Sequence, residues 1–73
     1  MKLIRRFWLN RKVDPTGISG LGLVAQGIEF PDGQCVLFWP NYGTIGVYPQ
    51  MSALIAVHGH EGATVVEWID DPN

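Results

Sequence analysis

The chain has 73 residues and a formal net charge of −2, and 47% of its residues are hydrophobic while 16% are charged. This length fits one small domain, and the apolar content excludes a compositionally disordered chain. No apolar run approaches the roughly 18–20 residues that a membrane helix needs. The basic N-terminal residues are not followed by the hydrophobic segment of a signal peptide. We therefore expect a single cytoplasmic domain with no membrane partner.

The small size of the chain raises the question of what stabilises its core. Cys35 is the single cysteine, which excludes an intrachain disulfide and a cysteine-only metal site. Below about 70–80 residues a hydrophobic core usually needs such a staple or an oligomeric partner. Three Trp, three Phe and two Tyr supply aromatic surface that a second copy could cover. The composition thus favours a homodimer or a larger closed assembly.

Period-two alternation and turn residues predict strands over the first two thirds of the chain. The predicted strands cover residues 2–11, 21–30, 34–39 and 44–48, and the predicted turns cover 14–17, 31–33 and 40–43. Gly27 inside the second strand indicates a bulge or a close approach of another group to the backbone. The run Cys35–Trp39 lacks polar alternation, so both of its faces are expected to need cover.

The period of the pattern changes after Pro49. The residues Met51, Leu54, Ile55 and His58 follow helical spacing, and Gly59 suits the position just past the helix end. Residues 64–69 are mostly β-branched and predict a last strand, followed by a solvated tail at 70–73. The resulting order ββββαβ defines a mainly β (α+β) fold with one short helix. Either a small curled antiparallel sheet or an SH3-like barrel would satisfy it.

Three segments of the sequence together carry a family resemblance. They lie at residues 13–20 (VDPTGISG), 24–33 (VAQGIEFPDG) and 57–64 (VHGHEGAT). In this order they resemble a group of small, uncharacterised single-domain proteins of actinobacteria and their phages. The resemblance covers nearly the whole chain and brings no catalytic residue with it. It implies a phage-encoded accessory protein that acts inside a bacterial cell.

The segment His58-Gly59-His60-Glu61 is the one candidate for a metal site. Two imidazoles separated by one residue on an extended segment would point the same way, as metal ligands often do, and Glu61 could complete the set. However, His58 also completes the apolar stripe of the predicted helix, where an imidazole near the C-terminus interacts favourably with the helix dipole. The structural role is the favoured interpretation over a metal site or another ligand-binding role, and we expect no cofactor.

The glycine-rich segment 17–22 and two potential nucleophiles point to no reaction. Phosphate-binding loops follow a strand and open a helix, whereas these glycines precede a strand. Ser19 lacks the sequence context of a nucleophile elbow. Cys35 lies in an apolar strand, where a thiol packs as a small hydrophobic side chain. An enzyme is therefore the least favoured function class.

Opposite charges occupy opposite parts of the chain. All five Lys and Arg residues lie within the first twelve positions, and all seven acidic residues follow them. The basic first strand, with its neighbouring aromatics, could bind nucleic acid, but the pI of about 5.4 argues against this function. The favoured alternative is pairing of the first strand with acidic residues such as Glu67 and Asp70 on the last strand, within or between subunits.

These observations favour a non-enzymatic module that binds a larger host or phage protein stoichiometrically. The first alternative is an oligomer that sequesters a small ligand or a nucleotide, and the second is a small nucleic-acid-binding barrel. The side chains expected to contact a ligand or partner are aromatic or basic: Trp8, Trp39, Tyr42, Tyr48, Arg5 and Arg6.

Overall fold

The strands and helix follow the predicted order ββββαβ. A computed structural model describes residues 2–14 and 20–72. The elements are β1 (Arg5–Arg11), β2 (Gly22–Glu29), β3 (Cys35–Trp39), β4 (Thr44–Tyr48), α1 (Met51–His58), a 3₁₀ turn (His60–Gly62) and β5 (Thr64–Trp68). Most of the turn predicted at 14–17, and Ser19, lie outside the described residues. Within the described ranges, no helix is long and apolar enough to cross a membrane.

The strands form a single antiparallel sheet. Among the described residues it has five strands in the order β4-β3-β2-β1-β5, and each neighbouring pair runs antiparallel. The last strand, β5, therefore lies beside the first, β1, while β4 and β5 form the two edges. The sheet is open, as in the first of the two predicted architectures. The SH3-like barrel is not confirmed.

The register between β1 and β2 explains the glycine inside β2. Phe7 lies opposite Gly27, and a Cβ on this glycine would collide with the Phe7 ring. Gly27 thus marks a close approach, the second of the two predicted reasons. The irregularity of the pairing lies elsewhere, between Leu9 and Asn10, where the partner shifts from Ala25 to Leu23. The bulge alternative for Gly27 is therefore wrong.

The hydrophobic core lies between the sheet and α1. Within the described part of the chain, the buried apolar side chains are Phe7, Leu9, Ala25, Cys35, Leu37 and Leu54. Of the residues of α1, all of which are described, Leu54 is the buried one. Ile55 was predicted on the apolar stripe but is 48% exposed, which corrects that prediction. The short helix buries Leu54 fully and leaves about half of the neighbouring Ile55 side chain exposed.

Two of the predicted turns are confirmed by their hydrogen bonds. At residues 31–33, the Gly33 amide donates to the Phe30 carbonyl at 2.9 Å, and Gly33 adopts a φ of +98°. At residues 40–43, the Gly43 amide donates to the Trp39 carbonyl at 2.8 Å. These turns place β2, β3 and β4 side by side as consecutive hairpins.

The helix α1 ends where the sequence predicts, at His58, with Gly59 just past its end. Gly59 is right-handed, with a φ of −71°, and donates its amide to the Ile55 carbonyl. An added Cβ would lie 2.6 Å from that oxygen, so packing and not a left-handed cap accounts for the glycine. The left-handed residues are His60, Glu61 and Gly62. The extended His-Gly-His segment that the disfavoured metal interpretation required does not form, because His58 ends α1 and the chain turns sharply after it.

Candidate functional site

The sheet has two different faces because side chains alternate along each strand. One face packs against α1 and is called the helix face. On the other, Trp8 lies opposite Gln26, Gln26 opposite Phe38 and Phe38 opposite Ile45. We call this side the open face, defined by its large apolar side chains: Trp8, Ile28, Val36, Phe38, Ile45 and Val47.

The open face exposes its apolar side chains. Phe38 is 38% exposed, Ile45 67% and Val47 62%. A shallow groove of about 340 Å³ runs over Trp8, Ile28 and Phe38, with Arg6 at its border. Contiguous apolar surface of this kind commonly marks a protein-interaction site. The run Cys35–Trp39 was predicted to need cover on both faces. In the structure α1 covers one face, and the other face remains exposed at Phe38.

Charged pairs border the open face. Arg6 Nη2 lies 2.8 Å from an Asp70 carboxylate oxygen, and Lys12 Nζ lies 3.7 Å from Glu67. The Arg6 amide also donates to Asp70 at 2.7 Å. Hydrogen bonds from the Arg6 side chain and backbone lower the pKa of Asp70 to about 2. The predicted pairing of the basic first strand with acidic residues near the last strand is confirmed within one chain.

Arg5 points to the other side of the sheet from Arg6. Its guanidinium carbon lies 3.7 Å from the centre of a Trp68 ring, and its Nη2 donates to the Asp70 carbonyl at 3.3 Å. The buried Nε of Arg5 has no hydrogen-bond partner among the described residues. Arg5 and Arg6 were predicted to belong to one ligand site, but they lie on different faces of the sheet.

A separate cleft lies on the helix face, at the C-terminal end of α1. This His58 cleft has a volume of about 330 Å³, and its lining includes Arg11, Trp39, Tyr42, Thr44, His58 and His60. Arg11 is only 4% exposed, and its Nε donates to Thr64 Oγ1 at 3.1 Å. The hydrogen bond fixes a cation in the wall of the cleft.

His58 is held by two aromatic residues. Its Nε2 lies 2.5 Å from the Tyr48 hydroxyl, and its ring centre lies 5.1 Å from that of Trp39. Burial lowers the pKa of His58, and His60 and Arg11 nearby lower it further. No group of three His, Cys, Asp or Glu side chains that could hold a metal occurs within the described residues. His58 therefore lines the cleft while it packs against Tyr48 and Trp39.

The structure brings together half of the residues predicted to contact a ligand. Trp39 and Tyr42 line the His58 cleft, and Tyr48 supports it through His58. Trp8 and Arg6 lie together at the open-face groove, while Arg5 lies on the other side of the sheet, against Trp68. Sequence reasoning missed the burial of Arg11 and the open-face residues of β3 and β4. The parity of Phe38 and Ile45 within their strands was the signal that could have identified the latter.

A family model described as "Acb5 phage protein" matches residues 4–70, which makes this open-sheet chain a small phage protein. The match spans all five described strands and α1. The chain belongs to the Acb5 phage protein family. This confirms the phage part of the resemblance, while the actinobacterial host stays a prediction. No curated protein and no solved structure matches the chain.

Proposed function

We propose that this chain is a non-enzymatic phage accessory protein that acts in the host cytoplasm by binding one larger protein stoichiometrically. The open face is the surface that makes this contact. The observation that carries the proposal is the exposure of Phe38, Ile45 and Val47 beside the half-buried Trp8. Apolar and aromatic side chains at the centre of a patch, with charges at its border, match the anatomy of protein interfaces.

The positions of the titratable groups support a binding role over catalysis. The Cys35 thiol is buried, and burial raises its pKa, which keeps the nucleophilic thiolate scarce. Asp70 is engaged with Arg6, and Glu67 with Lys12 and Asn10. The His58 ring packs against Tyr48 and Trp39. These groups serve the packing and pairing of the fold, so binding is the function that the geometry favours.

The charge arrangement also disfavours nucleic acid as the partner. Arg6 in β1 and Lys12 directly after it already face carboxylates. A phosphate backbone would have to displace these acids, and the net charge of the chain is negative. Salt-dependent binding to nucleic acid needs cations that are free to neutralise phosphates. An apolar protein surface fits the open face better.

A second copy of the chain is the competing occupant of the open face. Two copies would bury the same apolar residues against each other, as isologous dimers do. We propose that self-association and partner binding use this one face and exclude each other. The homodimer is then the form adopted in the absence of the partner.

Site-specific photo-crosslinking tests the contact with a larger protein. A photoreactive phenylalanine analogue is placed at Phe38 on the open face, or at Val57 on the exposed side of α1 as the matched control. We expect the Phe38 probe to give one discrete heteromeric adduct in phage-infected cells, and the Val57 probe to give none. Native mass spectrometry of the purified pair should then show a fixed stoichiometry.

The substitution Ile45→Glu supplies the second arm of the experiment. Because Ile45 is 67% exposed, the substitution should leave the fold intact while it places a charge in the interface. We expect it to abolish both the heteromeric adduct and self-association, whereas Val57→Glu preserves them. Equal crosslinking from both probe positions would overturn the proposal. So would an Ile45→Glu protein that retains its partner.

A further inference from the structure

Gln26 is a polar residue in the middle of the apolar open face. It lies on β2, the central strand of the sheet, opposite Trp8 of β1 on one side and opposite Phe38 of β3 on the other. Ile28 follows two residues later on the same face, because side chains alternate along a strand. Gln26 is exposed, so water hydrogen-bonds its amide in the free chain.

A protein that covers the open face removes this water from the Gln26 amide. A buried amide without hydrogen bonds carries its full desolvation penalty. Ile28 and Phe38 beside it have no polar side-chain atom, so they cannot replace the lost hydrogen bonds. The amide presents one acceptor oxygen and an NH₂ donor. The contacting group of the partner must therefore both donate and accept a hydrogen bond.

The groove at Gln26 determines the size and the apolar character of that group. It measures about 340 Å³, and its lining includes Trp8, Gln26, Ile28, Val36 and Phe38. This volume accommodates a single large side chain, and large side chains seated in such pockets dominate the energy of protein interfaces. The aromatic residues on either side of Gln26 favour an aromatic ring, which packs against them in edge-to-face or offset-stacked contacts.

The border of the groove indicates that the incoming group is uncharged. Arg6 is the charged residue in the groove lining, and its Nε and Nη2 donate to Asp70 at 3.1 and 2.8 Å. The guanidinium is thus already neutralised. A charged side chain entering the groove would have to break this pair or lose its own hydration without compensation, whereas a neutral side chain incurs neither cost.

Tyrosine is the side chain that meets all of these requirements. Its ring supplies the apolar body, and its hydroxyl is uncharged at neutral pH and both donates and accepts. The tryptophan indole only donates, and the phenylalanine ring does neither. We infer that the partner of the open face inserts a tyrosine into this groove, with the tyrosine hydroxyl hydrogen-bonded to Gln26. This contact rests on the proposed function, since the larger protein named there supplies the tyrosine.

A second copy of the chain satisfies Gln26 in a different way. In an isologous dimer centred on β2, the Gln26 amides of the two copies pair with each other. Replacement of both members of such a pair by apolar groups of similar shape is nearly neutral. Partner binding and self-association therefore respond differently to the substitution Gln26→Leu.

The adduct of the Phe38 photoprobe provides the test. Mass spectrometry of the crosslinked peptide should place the new bond next to a tyrosine of the partner. Isothermal titration of the purified pair then compares Gln26→Leu with Gln50→Leu, the same change at an exposed glutamine before α1. We expect Gln26→Leu to weaken the heteromeric complex about 10- to 100-fold, because the tyrosine hydroxyl is left unpaired, without weakening self-association. Gln50→Leu should alter neither.

The tyrosine of the partner supplies the complementary variant. Its change to phenylalanine should weaken binding to the wild type by a similar factor and have little further effect on binding to Gln26→Leu. An adduct away from any tyrosine, or a Gln26→Leu complex as tight as the wild type, would overturn the tyrosine contact and leave the proposed function intact. So would equal weakening of partner binding and self-association. Absence of any adduct from the Phe38 probe would overturn both.

Discussion

At the scale of single residues, the close contact between Phe7 and Gly27 determines how tightly β1 and β2 pack. The Phe7 ring is fully buried and lies over the Gly27 backbone, where any side chain would collide with it. We expect Gly27→Ala to lower the free energy of unfolding by about 1–3 kcal/mol, the usual cost of overpacking a core. Urea denaturation followed by tryptophan fluorescence measures the change.

A double-mutant cycle identifies the cause of that loss. Phe7→Leu removes the ring and leaves a cavity of its own, so it destabilises the protein by itself. If the clash is responsible, Gly27→Ala should cost less in the Phe7→Leu background than in the wild type. Strictly additive losses would show that Gly27 is required for another reason.

The Arg6–Asp70 pair predicts how stability depends on pH. The folded-state pKa of Asp70 is lowered from 3.8 to about 2, so the unfolded chain binds the proton more tightly than the folded one. The contribution is therefore fully present above about pH 4 and is lost as the pH falls towards 2. We expect Asp70→Asn to lack this contribution, as measured by thermal unfolding across that interval. The neighbouring exposed Asp71, changed to Asn, is the control that should keep it.

At the scale of elements, the sequence predicted most boundaries because turns and periodicity are local properties. The bounds of β4 and of α1 agree with the predicted residues, and so do the hairpins at 31–33 and 40–43. The role of Ile55 was not predictable from spacing, since the area that a helix buries depends on where it crosses the sheet. The choice between an open sheet and a barrel was likewise not predictable, because closure depends on the number and stagger of the strands together and not on any single strand.

The candidate sites show the same limit. Trp39 and Tyr42 are close in sequence and were recognised together, whereas Arg11 reaches the His58 cleft from a strand far away in the chain. Its hydrogen bond to Thr64 spans 53 positions. A charge count places Arg11 in a basic strand, whereas in the structure it lies opposite Thr64 of β5 and is buried on the same face as Phe7 and Leu9.

Leu54 provides the main packing contact between α1 and the sheet. Among the described residues of α1 it is the fully buried one, so its truncation removes the principal apolar contact of the element. We expect Leu54→Ala to cost about 2–5 kcal/mol. Val57→Ala, at an exposed position of the same helix, should change stability by less than about 0.5 kcal/mol. Chemical denaturation of both variants tests the contrast, and similar losses would contradict it.

At the scale of the whole molecule, the open face predicts self-association. We expect sedimentation equilibrium of the wild type to show a dimer that dissociates on dilution, because the buried apolar area would be modest. Substitution of Ile45 by Glu should yield a monomer at every concentration, whereas Val57→Glu should behave as the wild type. A strictly monomeric wild-type protein would show that the face stays free for a different partner.

The position of β5 beside β1 has a consequence for the order of events during synthesis. The hairpins from β1 to β4 can pair as soon as each has left the ribosome, but the outer edge of β1 stays unpaired until Trp68 has been added. Asn10 of β1 donates a hydrogen bond to Glu67 of β5, and the two residues are 57 positions apart. Pairings between residues so far apart in the chain form slowly. During that interval the nascent sheet presents a second unpaired edge in addition to β4, and such edges recruit other chains. Ribosome pausing before the codon for Thr64 should therefore lengthen the time during which newly made chains are vulnerable to aggregation.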